Sequence, residues 1–131
     1  MLSETEGLAD LGLWQDAWDA LEALPAEERA TPAALRVRLR CCPGVGAWEI
    51  GEHLAGVLCD GKDSDRESAA GFYHALAVFH ARAGRVEGAR DSITAAASAW
   101  PDIRAAMLDD PALEGSLFGE KGQQDDRDFR C

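Results

Sequence analysis

Phe72–Pro101 reads FYHALAVFHARAGRVEGARDSITAAASAWP, and the fold follows from it. Tyr73, Leu76, Ala77 and His80 recur at helical spacing in the first half, and Ala89, Ile93 and Ala96 recur in the second. Gly84 separates the two runs, and Trp100-Pro101 closes the second. Short side chains at Ala77, Ala89 and Ala96 let two antiparallel helices approach closely. The stretch is therefore predicted to be a helical hairpin. Tyr73, Leu76, Ala77 and His80 should face inward, and His74, Val78 and Arg82 should face outward. A buried His74 beside an exposed His80 would overturn that register.

The surrounding chain bounds the alternatives. Its 131 residues suffice for one domain with an apolar core and no stapling by metal or disulfide. No apolar run is long enough to span a membrane, and the acidic N-terminus lacks the pattern of a signal peptide, so a cytoplasmic protein is expected. Cys41, Cys42, Cys59 and Cys131 make a poor disulfide framework, and reduced thiols are expected. The net charge of −11 argues against nucleic acid and anionic membranes as partners. Residues 1–32 carry eight acids and one Arg, whereas 33–58 and 71–100 each carry three Arg against two acids. The negative charge lies towards the ends, and the middle is mildly basic.

Taken in order, Ser3-Glu4-Thr5-Glu6 has the form of a capping box opening a short helix that ends at Gly12. Trp14, Ala17, Trp18, Leu21 and Leu24 form one apolar stripe, which Pro25 terminates. Residues 26–30 read as a polar connector, and Thr31-Pro32 as an N-cap followed by a first-turn proline. The next helix runs through Leu35, Val37, Leu39 and Cys42 until Pro43-Gly44 is expected to end it. A fourth carries Trp48, Ile50, Leu54, Val57 and Leu58. Ser64-Asp65-Arg66-Glu67 is predicted to cap the fifth. After Pro101 come a short helix to Leu108 and, capped by Asp110-Pro111, a last turn through Leu113 and Leu117. Residues 119–131, GEKGQQDDRDFRC, lack apolar periodicity and are expected to be a disordered tail.

Three segments align on their turn glycines. Gly12-x-Trp14-x-x-Ala17-x-x-x-Leu21 matches Gly46-x-Trp48-x-x-Gly51-x-x-x-Ala55, and both match Gly84-x-Val86-x-x-Ala89-x-x-x-Ile93. The glycines lie 34 and then 38 residues apart, the extra four falling in the polar stretch 59–68. With its aromatic, Leu, small residue, turn glycine, Ala-x3-bulky run and closing proline, the pattern resembles the tetratricopeptide repeat (TPR), whose period is 34. It departs from that family in having Tyr73 where Trp is commonest and His80 where Tyr is usual. The resemblance covers residues 1–101 and implies an all-α, right-handed α-solenoid of about three helical hairpins, closed by a short C-terminal helix pair, over residues 1–118.

The resemblance also implies that the first helix of each pair lines a concave groove where partner peptides lie. By position, Arg36 and Arg40 would face the groove from the second repeat, and His74, Val78 and Arg82 from the third. Such an arginine cluster suits an acidic peptide, and its reversal to Glu at Arg36 and Arg40 is expected to leave folding intact. The alternative makes these arginines solvated groups balancing nearby carboxylates. The Lys-and-Asn carboxylate clamp of some family members cannot be carried over, because the chain contains no Asn. Trp14 and Trp48 are read as wedges between neighbouring repeats.

No catalytic pattern stands out. His53 and Cys59, like His74 and His80, are six apart and off the spacing that stacks ligands on a helix face, and Cys41-Cys42 is not Cys-x-x-Cys. The expectation is a non-catalytic interaction module without metal or cofactor, binding a protein or peptide partner of acidic character. Two further readings stay open. One is a chaperone-like or self-assembling subunit, pairing as a homodimer or with a client through an open apolar flank. The other is a thiol- or metal-dependent protein using Cys41, Cys42 and Cys59.

Overall fold

A computed structural model describes residues 2–118; the expected tail, 119–131, lies outside the described residues. The described chain is all-α, without strands. It comprises α1 (Leu2–Asp10), α2 (Trp14–Glu22), α3 (Ala26–Arg29), α4 (Pro32–Val45), α5 (Trp48–Leu58), α6 (Asp63–Arg82), α7 (Val86–Ala99), α8 (Ile103–Leu108), a 3-10 turn (Pro111–Leu113) and α9 (Glu114–Phe118). None of these helices is long and apolar enough to cross a membrane.

The three aligned glycines make the same turn. Gly12, Gly46 and Gly84 have φ of 76°, 76° and 80°, a left-handed conformation that a Cβ would strain. In each turn the residue after the glycine donates its N–H to the carbonyl five positions back: Leu13 to Leu8 (3.0 Å), Ala47 to Cys42 (2.9 Å) and Arg85 to His80 (2.9 Å). This closure satisfies a helix-terminal carbonyl and reverses the chain. The outcome is three hairpins, α1–α2, α4–α5 and α6–α7, with α4 packed on α1, α2 and α6, and α5 on α6.

Between hairpins, aromatic rings pack against glycines. Trp14 lies against Gly44, where an added Cβ would come within 2.2 Å of its ring. Phe72 lies against Gly51 in the same way, at 2.3 Å. Small residues therefore stand where an aromatic ring from the neighbouring hairpin meets a helix backbone. Trp18 packs on both apolar clusters, one around Leu21 and Val37 and the other around Leu58 and Leu76, and joins them.

Four local expectations are corrected. Ser3 lies inside α1, so it is not the N-cap. Residues 26–29 form a helical turn and not an irregular connector. α4 runs through Pro43-Gly44 to Val45, because a proline in the last turn forfeits only one helical hydrogen bond before Gly46 ends the helix. α6 starts at Asp63 with Lys62 as N-cap, and the Lys62 N–H donates to Asp65 Oδ2 (3.1 Å). Thr31 does cap α4, its hydroxyl oxygen accepting from the Ala34 N–H (3.3 Å). Beyond α7, Met107 and Leu113 insert into the second apolar cluster, and the C-terminal pieces pack on α6 and α7.

Candidate functional site

The twenty residues of α6 divide by face. Ala69, Phe72, Leu76 and Ala77 are buried in the core. Ser68, Gly71, Ala75, Val78 and Arg82 follow at steps of three or four along another face, which places them in one row, and His74 lies beside it, four residues before Val78. Two clefts open along that row. The larger, about 480 Å³, is lined by Trp48, Gly71, His74, Ala75, Val78, Phe79, Arg82 and Asp110. The smaller, about 260 Å³, is lined by Leu39, Arg40, Pro43, Ser68, Gly71 and Phe72. They share Gly71. A Cβ there would meet nothing within 4 Å, so a larger side chain would project into open space where the two clefts meet.

One wall is aromatic. Trp48, at the start of α5, stacks on Phe79 (centroids 4.4 Å, planes 20° apart) and tilts against Phe72 (5.9 Å). It thus packs between α5 and α6 and also lines the larger cleft. Phe79 stays 39% exposed, enough to offer apolar surface to a ligand. The Arg85 guanidinium lies 5.2 Å from the Phe79 ring centroid, and its Nε donates to His80 Nδ1 (3.0 Å). His80 in turn packs against Gly88. His74 and His80 are both half-buried, so the arrangement that would overturn the register does not occur.

The other wall is polar. His74 Nε2 lies 2.7 Å from Asp110 Oδ2, while Asp110 Oδ1 accepts from the Ala112 N–H (3.0 Å) and caps the 3-10 turn. The hydrogen bond to His74 holds the Asp110 carboxyl below the usual carboxylate range; partial burial opposes this, and the Ala112 N–H and the charges of His74 and Arg82 add to the lowering. Arg82 is exposed and makes no ion pair among the described residues. Its charge faces the cleft unanswered except by the field of Asp110.

Of the five residues expected in a groove, His74, Val78 and Arg82 come together in the larger cleft. Arg40 lines the smaller one, with its Nη1 3.0 Å from Asp10 Oδ1 in an exposed pair. Arg36 lines neither. Its Nη1 donates to Asp65 Oδ1 at 2.6 Å, and the Asp65 side chain is only 7% exposed. That hydrogen bond holds the Asp65 carboxyl below its ordinary range against the opposing effect of burial, helped by the Lys62 N–H and the positive charges of Arg36 and Lys62. Reversing Arg36 would set two carboxylates together in a buried place, which corrects the expectation that folding tolerates it. Sequence reasoning missed Gly71, Phe79, Asp110 and the lining role of Trp48. An isolated glycine inside a helical pattern was the available signal for the first.

The thiols lie elsewhere. Cys41 and Cys42 are free and fully buried. Burial pushes the Cys42 thiol up to about 11, with the neighbouring Cys41 adding to it and Arg38 opposing. Cys59 is disulfide-bonded, contrary to the expectation of reduced thiols throughout. Among the described residues no group of three or more His, Cys, Asp or Glu is placed to hold a metal ion. No protein-family model, no curated protein and no solved structure matches the chain.

Proposed function

We propose that the protein is a non-catalytic interaction module, built as an α-solenoid of three TPR-like hairpins, that binds a segment of a protein partner along α6. One observation carries this reading: two clefts, one walled by Trp48 and Phe79, join at Gly71 into a trough along one helix face. Phe79 is exposed in it and Trp48, Val78 and Pro43 are half-buried, with Arg40 and Arg82 at its ends and the His74–Asp110 pair between them. Such a surface suits a peptide, whose backbone and alternate side chains need length more than depth. The identical glycine turns and the Trp14–Gly44 and Phe72–Gly51 contacts support the repeat architecture.

The reading is tested by filling the trough from within. Gly71→Leu places a side chain in open space, so the protein should fold normally. Affinity capture from cells with wild-type protein and with Gly71→Leu should then differ, the variant losing specific partners. An unchanged set of captured proteins, with the variant folded, would refute the assignment of the trough as the binding surface.

A further inference from the structure

The charges along the trough are not equivalent, and their pairing states what kind of segment fits. At the end formed by the smaller cleft, the charge of Arg40 is answered by Asp10 at 3.0 Å. In the middle, His74 is held by Asp110 at 2.7 Å. At the far end Arg82 has no ion-pair partner among the described residues, and Arg85 lies close by over the Phe79 ring. Unanswered positive charge is therefore concentrated at the Arg82 end. Between the ends the accessible apolar surface is Trp48, Ala75, Val78 and Phe79 on one side of Gly71 and Pro43 on the other, where Leu39 and Phe72 form the buried floor. Asp110 faces the same cleft, so a second acidic residue placed inward from Arg82 would meet a carboxylate.

Length follows from α6 itself. From Ser68 to Arg82 the helix advances about 21 Å at 1.5 Å per residue. An extended chain covers that distance in about six residues. Resting on the peptide-binding reading above, we infer that the trough takes an extended protein segment of about six residues, apolar along its length, with one Asp or Glu at the end that lies against Arg82. A run of acidic residues is a poor occupant, because the chain carries a net −11 and Asp110 stands in the larger cleft. The specificity is that of an apolar segment with a single acidic anchor.

The test is selection from a library of random peptides displayed between constant flanks, so that no free C-terminal carboxylate is present. Wild-type protein should enrich peptides with consecutive aromatic or aliphatic residues bounded on one side by Asp or Glu. Their affinity should fall about tenfold or more with Arg82→Ala, the scale of a lost charge-assisted hydrogen bond, and further with Arg82→Glu. Binding should disappear with Gly71→Leu. If enriched peptides are blocked by Gly71→Leu but are indifferent to Arg82, or are basic or polyacidic, the trough binds peptides and the single-anchor inference is wrong. If no peptide is enriched, or binding survives Gly71→Leu, the peptide-binding reading falls as well.

Discussion

Replacing Arg36 by Met should destabilise the fold by about 2–3 kcal/mol at neutral pH. Removing one partner of a buried ion pair costs about 3–5 kcal/mol, because the other charge is left uncompensated. Here the guanidinium is 31% exposed, so water replaces part of what is lost, whereas Asp65 at 7% cannot turn to solvent without unravelling the start of α6. The expected loss therefore falls to the bottom of that range and just below it, about 2–3 kcal/mol. The sign of the pH dependence follows from Asp65. Its folded-state pKa is depressed, chiefly by the hydrogen bond to Arg36, so the pair's contribution is complete above the unfolded value of about 4 and is lost as pH falls through the folded value. Urea unfolding of wild type and Arg36→Met should show the full gap at pH 7 and a shrinking gap below about pH 4. A gap under about 0.5 kcal/mol at pH 7, the size of an exposed pair, would refute the argument. So would a gap that is unchanged in acid.

Three further outcomes are expected. Gly44→Ala should lose about 1–3 kcal/mol, since its Cβ would fall 2.2 Å from the Trp14 ring, and part of that loss should be absent in a Trp14→Leu background; equal losses in both backgrounds would discount the contact. Gly51→Ala and Gly71→Ala should shift the urea midpoint in opposite directions: the first destabilises against Phe72, while the second meets nothing within 4 Å and should gain about 0.5–1 kcal/mol from helix propensity. Cys41 and Cys42 should resist thiol reagents in the native protein and react at once in urea, as followed by mass spectrometry of the labelled peptides, because both are buried and the Cys42 thiol is pushed up to about 11.

Local signals set the elements of this protein, and the sequence displays them openly. Gly12, Gly46 and Gly84 mark the turns because a left-handed backbone nearly demands glycine, and all three adopt it. Apolar periodicity likewise placed Leu21, Leu76, Ala77 and Ala96 in the core and His74, Val78 and Arg82 on one outward row. Helix starts were less legible at Ser3 and Ser64, which both lie inside their helices; at α6 Asp65 accepts from the Lys62 N–H and pairs with Arg36, which places the N-cap two residues before the expected one. Pro43-Gly44 misled for a related reason: Gly44 answers the ring of Trp14, thirty positions away in the chain, and not a local turn.

What only the tertiary structure decided is which charges remain available. Arg36, Arg40 and Arg82 are alike as residues at helical positions. Asp65 binds the first in a nearly buried pair, Asp10 answers the second, and the third makes no ion pair among the described residues and meets only the field of Asp110. Periodicity reports the face a side chain occupies, because that depends on neighbours along the helix. It is silent about Asp10, Asp65 and Asp110, which reach these sites from other turns or helices, and so about where the trough carries its charge.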